Sequence, residues 1–128
     1  MTSIRTRSTV DRVGPKLKPR ANGLVRQARR AGRIVIGVQQ TRAAARAGRA
    51  VATLVADDLG SRRREILLDG LNQAGVTVYD GWNKDELGEI AGRVAVAALT
   101  ITDRNIANGL SGIVASEQPD PQKEPGRG

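Results

Sequence analysis

Few residues in this chain are equipped for chemistry, and they fall into two settings. In the first, Asp57 and Asp58 follow the apolar run "AVATLVA" (50–56), and Asp103 follows "VAVAALTI" (94–101). Acids just past buried strands are where α/β enzymes often keep catalytic carboxylates, and three together suit a Mg²⁺ ion. The plainer assignment puts Asp57 and Asp58 in a solvated loop and makes Asp103 a helix N-cap. It is preferred, because little else in the chain supplies a reaction. There is no Cys and no His, which removes disulfides, thiolate nucleophiles and imidazole acid–base chemistry. No G-x-x-x-x-G-K phosphate loop is present, and Gly32 with Gly37 does not make a dinucleotide fingerprint. The expectation is a non-enzymatic protein with no metal and no cofactor.

The second setting is "GVQQTRAAARAG" (37–48). Gly37 lets the backbone turn sharply out of the apolar run Ile34–Ile36. The residues that follow, Val38, Gln39 and Gln40, then open a helix whose free N–H groups favour a phosphate or a polar base edge. A glutamine side chain carries both a donor and an acceptor, so it reads base edges in a way a lysine cannot. Arg42, Arg46 and Arg49 lie on the same helix or just past it, placed to neutralise a phosphate backbone. Arg29, Arg30 and Arg33 extend that basic surface upstream.

Charge supports a polyanionic partner. The chain has 128 residues with 21 Lys and Arg against 13 Asp and Glu, a net +8. Residues 21–64 alone hold ten Arg and no Lys against Asp57 and Asp58, while residues 65–128 are acidic on balance. A strongly positive half on a mildly acidic remainder is how a nucleic-acid binder is built. No apolar stretch reaches the roughly 20 residues a membrane span needs, and the N-terminus lacks the apolar core of a secretory signal. Its Arg, Ser and Thr content has some likeness to an organelle transit peptide, but a basic arm is the preferred reading, and the expected location is cytoplasmic.

The elements that must position these residues follow from punctuation and periodicity. All five prolines lie within residues 15–19 and 119–125, so 1–20 reads as a disordered basic arm and 116–128 as a disordered Pro-rich tail. The folded domain is expected over 21–115. Asn22 is expected to cap a first helix carrying Leu24, Val25 and Ala28 and ending at Gly32. Strands are expected at Ile34–Ile36, 50–56, 76–79 and 94–101. Between them come helices at 38–47, after a Ser61 cap with Leu67, Leu71 and Ala74 on one face, and after an Asn83–Glu86 capping box. Asp103 caps the last helix, which carries Ile106, Leu110 and Ile113. Helix and strand in alternation imply a largely parallel sheet covered on both faces.

The stretches "AGRIVIGVQQTRAAARAGRAVATLVADD" and "GVTVYDGWNKDELGEIAGRVAVAALTITD" resemble the family of ribosomal proteins L7Ae and L30e, the kink-turn RNA binders. The likeness covers about residues 24–113. It rests on the glycine, short spacer and polar pair opening the second helix, on "LVADD", and on "DELGEIAGR", in which Leu87 and Gly88 are a structural signature. The resemblance implies an α/β fold, a three-layer α/β/α sandwich with a four-stranded mixed sheet. It also implies a grip on a kink-turn, a sharply bent RNA with tandem sheared G·A pairs. Carried over, the contacts fall on Gly37, Val38, Gln39, Gln40 and the following turn, with Ile101, Thr102, Asp103 and Arg104 packing against the extruded bases on the other side. Arg33, Arg42 and Arg46 would hold phosphates. Two positions depart from the family pattern: the lysine six residues after the glycine is Ala43 here, and Gln39 stands where Asn or Lys is usual. The expected partner is structured RNA, a kink-turn with ribosomal RNA among the candidates, bound by a monomer, with ribosomal or other ribonucleoprotein proteins as candidate protein partners. The alternative is a protein–protein adaptor that keeps the fold and has lost the RNA face.

Overall fold

The computed structural model describes residues 10–117. The chain runs β1 (Asp11–Arg12), α1 (Lys18–Arg30), β2 (Ile34–Ile36), α2 (Val38–Arg46), β3 (Ala52–Val55), α3 (Ser61–Gln73), β4 (Thr77–Asp80), α4 (Lys84–Ala91), β5 (Ala98–Ile101) and α5 (Arg104–Glu117). The strands form one mixed sheet in the order β1-β4-β3-β5-β2. β1, β3 and β4 pair in parallel, whereas β5 is antiparallel to both β3 and β2. β1 to β4 therefore share one direction, and β5 is inserted against it.

Period-two alternation along the strands divides the interior. Leu54 and Tyr79 face one side of the sheet, where α1, α4 and α5 bring Val25, Leu87, Ile90 and Leu110 around the fully buried Trp82. Val55 and Val78 face the other side, covered by α2 and α3 through Ala45, Leu67, Leu68 and Leu71. The three-layer sandwich expected from the alternation is thus present. Thr53 and Thr100 stand opposite each other in the β3–β5 pair. The Thr53 hydroxyl donates to Thr100 Oγ1 at 2.8 Å, and Thr100 donates on to the carbonyl of Ala52 at 3.0 Å. These two buried polar side chains are thereby satisfied within the sheet.

Several expectations need correction. Among the described residues the sheet has five strands rather than four. The added one, β1, lies in the segment expected to be a disordered arm, and it pairs Asp11 with Tyr79 and Arg12 with Asp80. Two polar residues carry no periodicity to announce a strand; neighbouring β4 decides it. The prolines misled similarly. Pro19 occupies the first turn of α1, where a missing N–H costs no hydrogen bond, so the helix begins ahead of residue 21. Asn22 is consequently inside α1, and its side chain accepts a hydrogen bond from Trp82 Nε1 at 2.7 Å instead of capping. Ser61 does not cap α3 either, since Gly60 holds that position without a side-chain bond. The run 94–101 shortens to β5 because 93–97 loops out beside α4. The expectations for 1–9 and 118–128 lie outside the described residues.

Two helix starts behave as the sequence suggests. Asn83 and Glu86 form a reciprocal capping box, each side chain accepting the other's backbone N–H at 2.8 Å. Asp103 accepts the N–H of Ile106 at 3.0 Å.

Candidate nucleic-acid interface

Because β1 to β4 are parallel, their C-terminal ends gather at one edge of the sheet together with the start of β5. Gly37 lies at this edge. Its N–H donates to Ala98 O at 2.8 Å and its carbonyl accepts from Thr41 N at 2.9 Å. Its backbone angles, φ 112° and ψ 153°, belong to a region that only glycine occupies without strain. That turn swings the chain from β2 directly into α2. Val38 then packs against the core on the α2–α3 side of the sheet, while Gln39 and Gln40 are exposed. The Gln40 amide folds back over Gly37, its Oε1 occupying the space a Cβ there would need.

α2 starts without a side-chain cap and without an acid in its first turn. The N–H groups of Val38, Gln39 and Gln40 have no acceptor one turn back, so this start presents free donors at the positive end of a helix dipole. α3 begins at the same edge with Arg62, Arg63 and Arg64 and likewise has no acid in its first turn. The acids nearby are engaged with their neighbours. Asp57 accepts from Arg12 at 3.2 Å and from Gly81 N at 3.0 Å. Asp58 accepts from Lys84 N at 2.9 Å. Asp80, mostly buried, takes Arg64 at 2.7 Å. Glu86 accepts the Asn83 N–H and also pairs with Lys18 at 2.9 Å, and these bonds hold its carboxyl below the usual glutamate range. The edge is left with exposed amides, helix donors and arginines.

The structure brings some of the expected residues together and separates others. Gln39, Arg42 and Arg46 fall at i, i+3 and i+7, one face of α2. Arg42 and Arg46 flank a groove of about 480 Å³ between α2 and α3, with Leu71 and Gln73 opposite. Arg33 and the segment 101–104 lie elsewhere. In the antiparallel β2–β5 pair, Ile34 faces Ile101 and Ile36 faces Leu99, so the end of β5 is at the edge away from Gly37. Three residues of strand, about 10 Å, separate Ala98 from Ile101. There the Thr102 N–H donates to Arg33 O at 3.0 Å. Ile101 is fully buried and has no surface to offer a base, Asp103 is occupied as a cap, and Arg104 is exposed but distant from the glutamines. The segment 101–104 thus lies away from Gly37–Gln40, because an antiparallel strand reverses which of its ends faces the site. The same reversal separates Asp103 from Asp57 and Asp58, so the three carboxylates weighed above as a Mg²⁺ set, and set aside there, do not share a site.

What β5 does place near Gly37 is the segment before it, 93–97. Ala97 O accepts from Ala56 N and Val96 N donates to Lys84 O. Val94 is 93 % exposed, unusual for a large aliphatic side chain in a tightly hydrogen-bonded segment. Gly88 supports it from α4: a Cβ there would lie 2.6 Å from Val94 O and 2.8 Å from Arg93 O. The alternating V-A-V-A pattern read as strand and concealed this loop, although Gly88 and Gly92 ahead of it marked a close approach and a helix end.

The sequence model of the "Ribosomal protein L7Ae/L30e/S12e/Gadd45 family" matches residues 20–110. Among solved structures, a protein of unknown function from Bacillus halodurans C is similar with a TM-score of 0.70 and 21 % identity, over 74 % of this chain and 96 % of that one. The Giardia lamblia 15.5kD RNA binding protein is similar with a TM-score of 0.70 and 20 % identity, over 88 % of this chain and 96 % of that one. At such identities the likeness is one of fold. No curated protein matches the chain.

Proposed function

The chain belongs to the ribosomal protein L7Ae/L30e/S12e/Gadd45 family, and from that premise we propose that it binds structured RNA, gripping a kink-turn or similarly bent element at the Gly37 edge. The observation that carries this reading is the uncapped, acid-free start of α2, with Gln39 and Gln40 exposed on it. Proteins recognise RNA through shape and through base edges freed from regular pairing. Gln39 and Gln40 supply paired donors and acceptors for such edges, and the α2 amides take a phosphate. Arg42 and Arg46 continue along α2 as backbone anchors, and Val94 offers an apolar surface for an unstacked base. The Giardia lamblia 15.5kD RNA binding protein, which shares this fold, supports the reading. We assign the RNA to a ribosomal or other ribonucleoprotein particle. No helix among the described residues is long and apolar enough to cross a membrane.

The test compares a kink-turn RNA with a straight duplex across a salt series. Log affinity should fall with log salt with a slope on the order of −3 to −5 if about five phosphates are neutralised. Gln40→Ala should weaken the kink-turn by about 1–3 kcal/mol and leave the duplex nearly unchanged. Equal losses on both RNAs would remove Gln40 from the reading of bases. One observation favours a second reading, a protein–protein adaptor: Ala43 is exposed on α2 where the resemblance leads one to expect lysine. A flat salt response would favour the adaptor.

A further inference from the structure

At the edge away from Gly37, α5 and the sheet enclose a small polar pocket that the RNA reading leaves without a task. Arg104, Asn108 and Ser111, at i, i+4 and i+7, line its helical wall, and Thr77 and Tyr79 of β4 face them. Its volume is about 200 Å³, below the roughly 300–1,000 Å³ of sites for drug-sized molecules. Tyr79 is 1 % exposed as a residue, and the Ser111 side chain lies close to its hydroxyl. Asp103, beside Arg104, is occupied by the backbone of α5. Arg104 itself forms no ion pair among the described residues. Among the described residues no acid lines the pocket; Asp11, opposite Tyr79 in the β1–β4 pair, lies outside its lining.

We propose that this pocket binds a small monocarboxylate, its two oxygens held by the Arg104 guanidinium with the Asn108 amide and the Ser111 hydroxyl as supporting donors. A guanidinium presents paired N–H groups that match a carboxylate. Ala50, Val51, Ala52 and Ala107 leave space for only a short organic group. Arg104 is the one cation among the described residues that line the pocket, and a single guanidinium balances a singly charged ligand better than a doubly charged one such as phosphate. The site is independent of the RNA reading, because it lies at the other end of the strands.

The experiment is a nuclear magnetic resonance titration of the full chain with lactate, and separately with inorganic phosphate. Saturable amide shifts clustered at Thr77, Arg104, Asn108 and Ser111 are expected with lactate. Arg104→Gln should weaken binding roughly tenfold or more, since a charge-assisted bond is lost, and Ser111→Ala should weaken it less. Affinity for the kink-turn RNA should be unchanged in Arg104→Gln. The proposal is overturned if lactate gives no saturable shift, if the shifts gather at Gly37–Gln40, if Arg104→Gln binds as well as the parent, or if phosphate occupies the pocket more tightly than lactate. Arg104 is exposed, so its replacement leaves the core intact, and superimposable spectra of the free proteins check this.

Discussion

Replacing Gly37 by alanine tests the turn on which the interface depends. At φ 112° and ψ 153°, a residue with a Cβ is strained by about 1–3 kcal/mol. The new methyl also meets Gln40 Oε1. That oxygen is the end of a flexible side chain and moves aside at little cost, so the backbone strain sets the stability loss while the displaced amide sets the functional loss. Urea denaturation should show a lower midpoint with an unchanged slope. In a thermal melt, a domain of about this size loses roughly 4–8 °C for each kcal/mol. Gly23→Ala is the control: Gly23 lies within α1 at a negative φ with nothing inside 4 Å of a Cβ, and the change should stabilise by about 0.5–1 kcal/mol. Kink-turn affinity, measured by fluorescence anisotropy well below the melt, should fall in Gly37→Ala and hold in Gly23→Ala. The reasoning fails if Gly37→Ala is as stable as the parent. It fails differently if stability drops while the folded variant still binds the kink-turn at full strength, because Gln40 would then not be what the RNA reads.

The other predictions are narrower. Gly88→Ala puts a Cβ against the backbone of Arg93 and Val94, so it should destabilise by about 1–3 kcal/mol and shift amide resonances across 93–97; a change confined to α4 would show that Gly88 does not set the loop. Asn22→Ala removes the acceptor of the buried Trp82 N–H and should cost about 1–3 kcal/mol, with the emission of the chain's single tryptophan reporting the transition; an unchanged urea midpoint would refute it. Burial raises the hydroxyl pKa of Tyr79, the sole tyrosine, above its ordinary 10.0, against the lowering effect of the nearby Ser111 side chain. Its contribution to stability is therefore fully present below about pH 10 and lost as pH rises through the folded value, and an ultraviolet titration with its midpoint at or under 10 would contradict this. Glu86 shifts the opposite way: the stability it lends is present above the ordinary glutamate range and lost as pH falls through its lowered folded value, so Glu86→Gln should flatten the acid limb of the stability curve.

Local physics made much of this protein legible in one dimension. Gly37 ahead of two glutamines announces a turn into a helix, because the glycine removes the Cβ penalty and the run of Ala and Arg propagates the helix. Asn83 with Glu86, and Asp103 before Ile106, declare their caps by spacing alone, and strictly alternating elements entail a layered α/β body. What sequence order could not supply is direction and neighbourhood. β1 exists because β4 offers it an edge, not because Asp-Arg prefers extension. Asn22 becomes the partner of Trp82 only once α1 packs on the side of the sheet that holds Trp82. The end of β5 that meets Gly37 depends on that strand running against the other four, a property of pairing that no single segment encodes. It is this reversal that moved Ile101, Thr102, Asp103 and Arg104 away from the glutamines and brought 93–97 toward them. Periodicity reports which face of a strand is buried; which of its ends borders a site is settled by long-range hydrogen bonding.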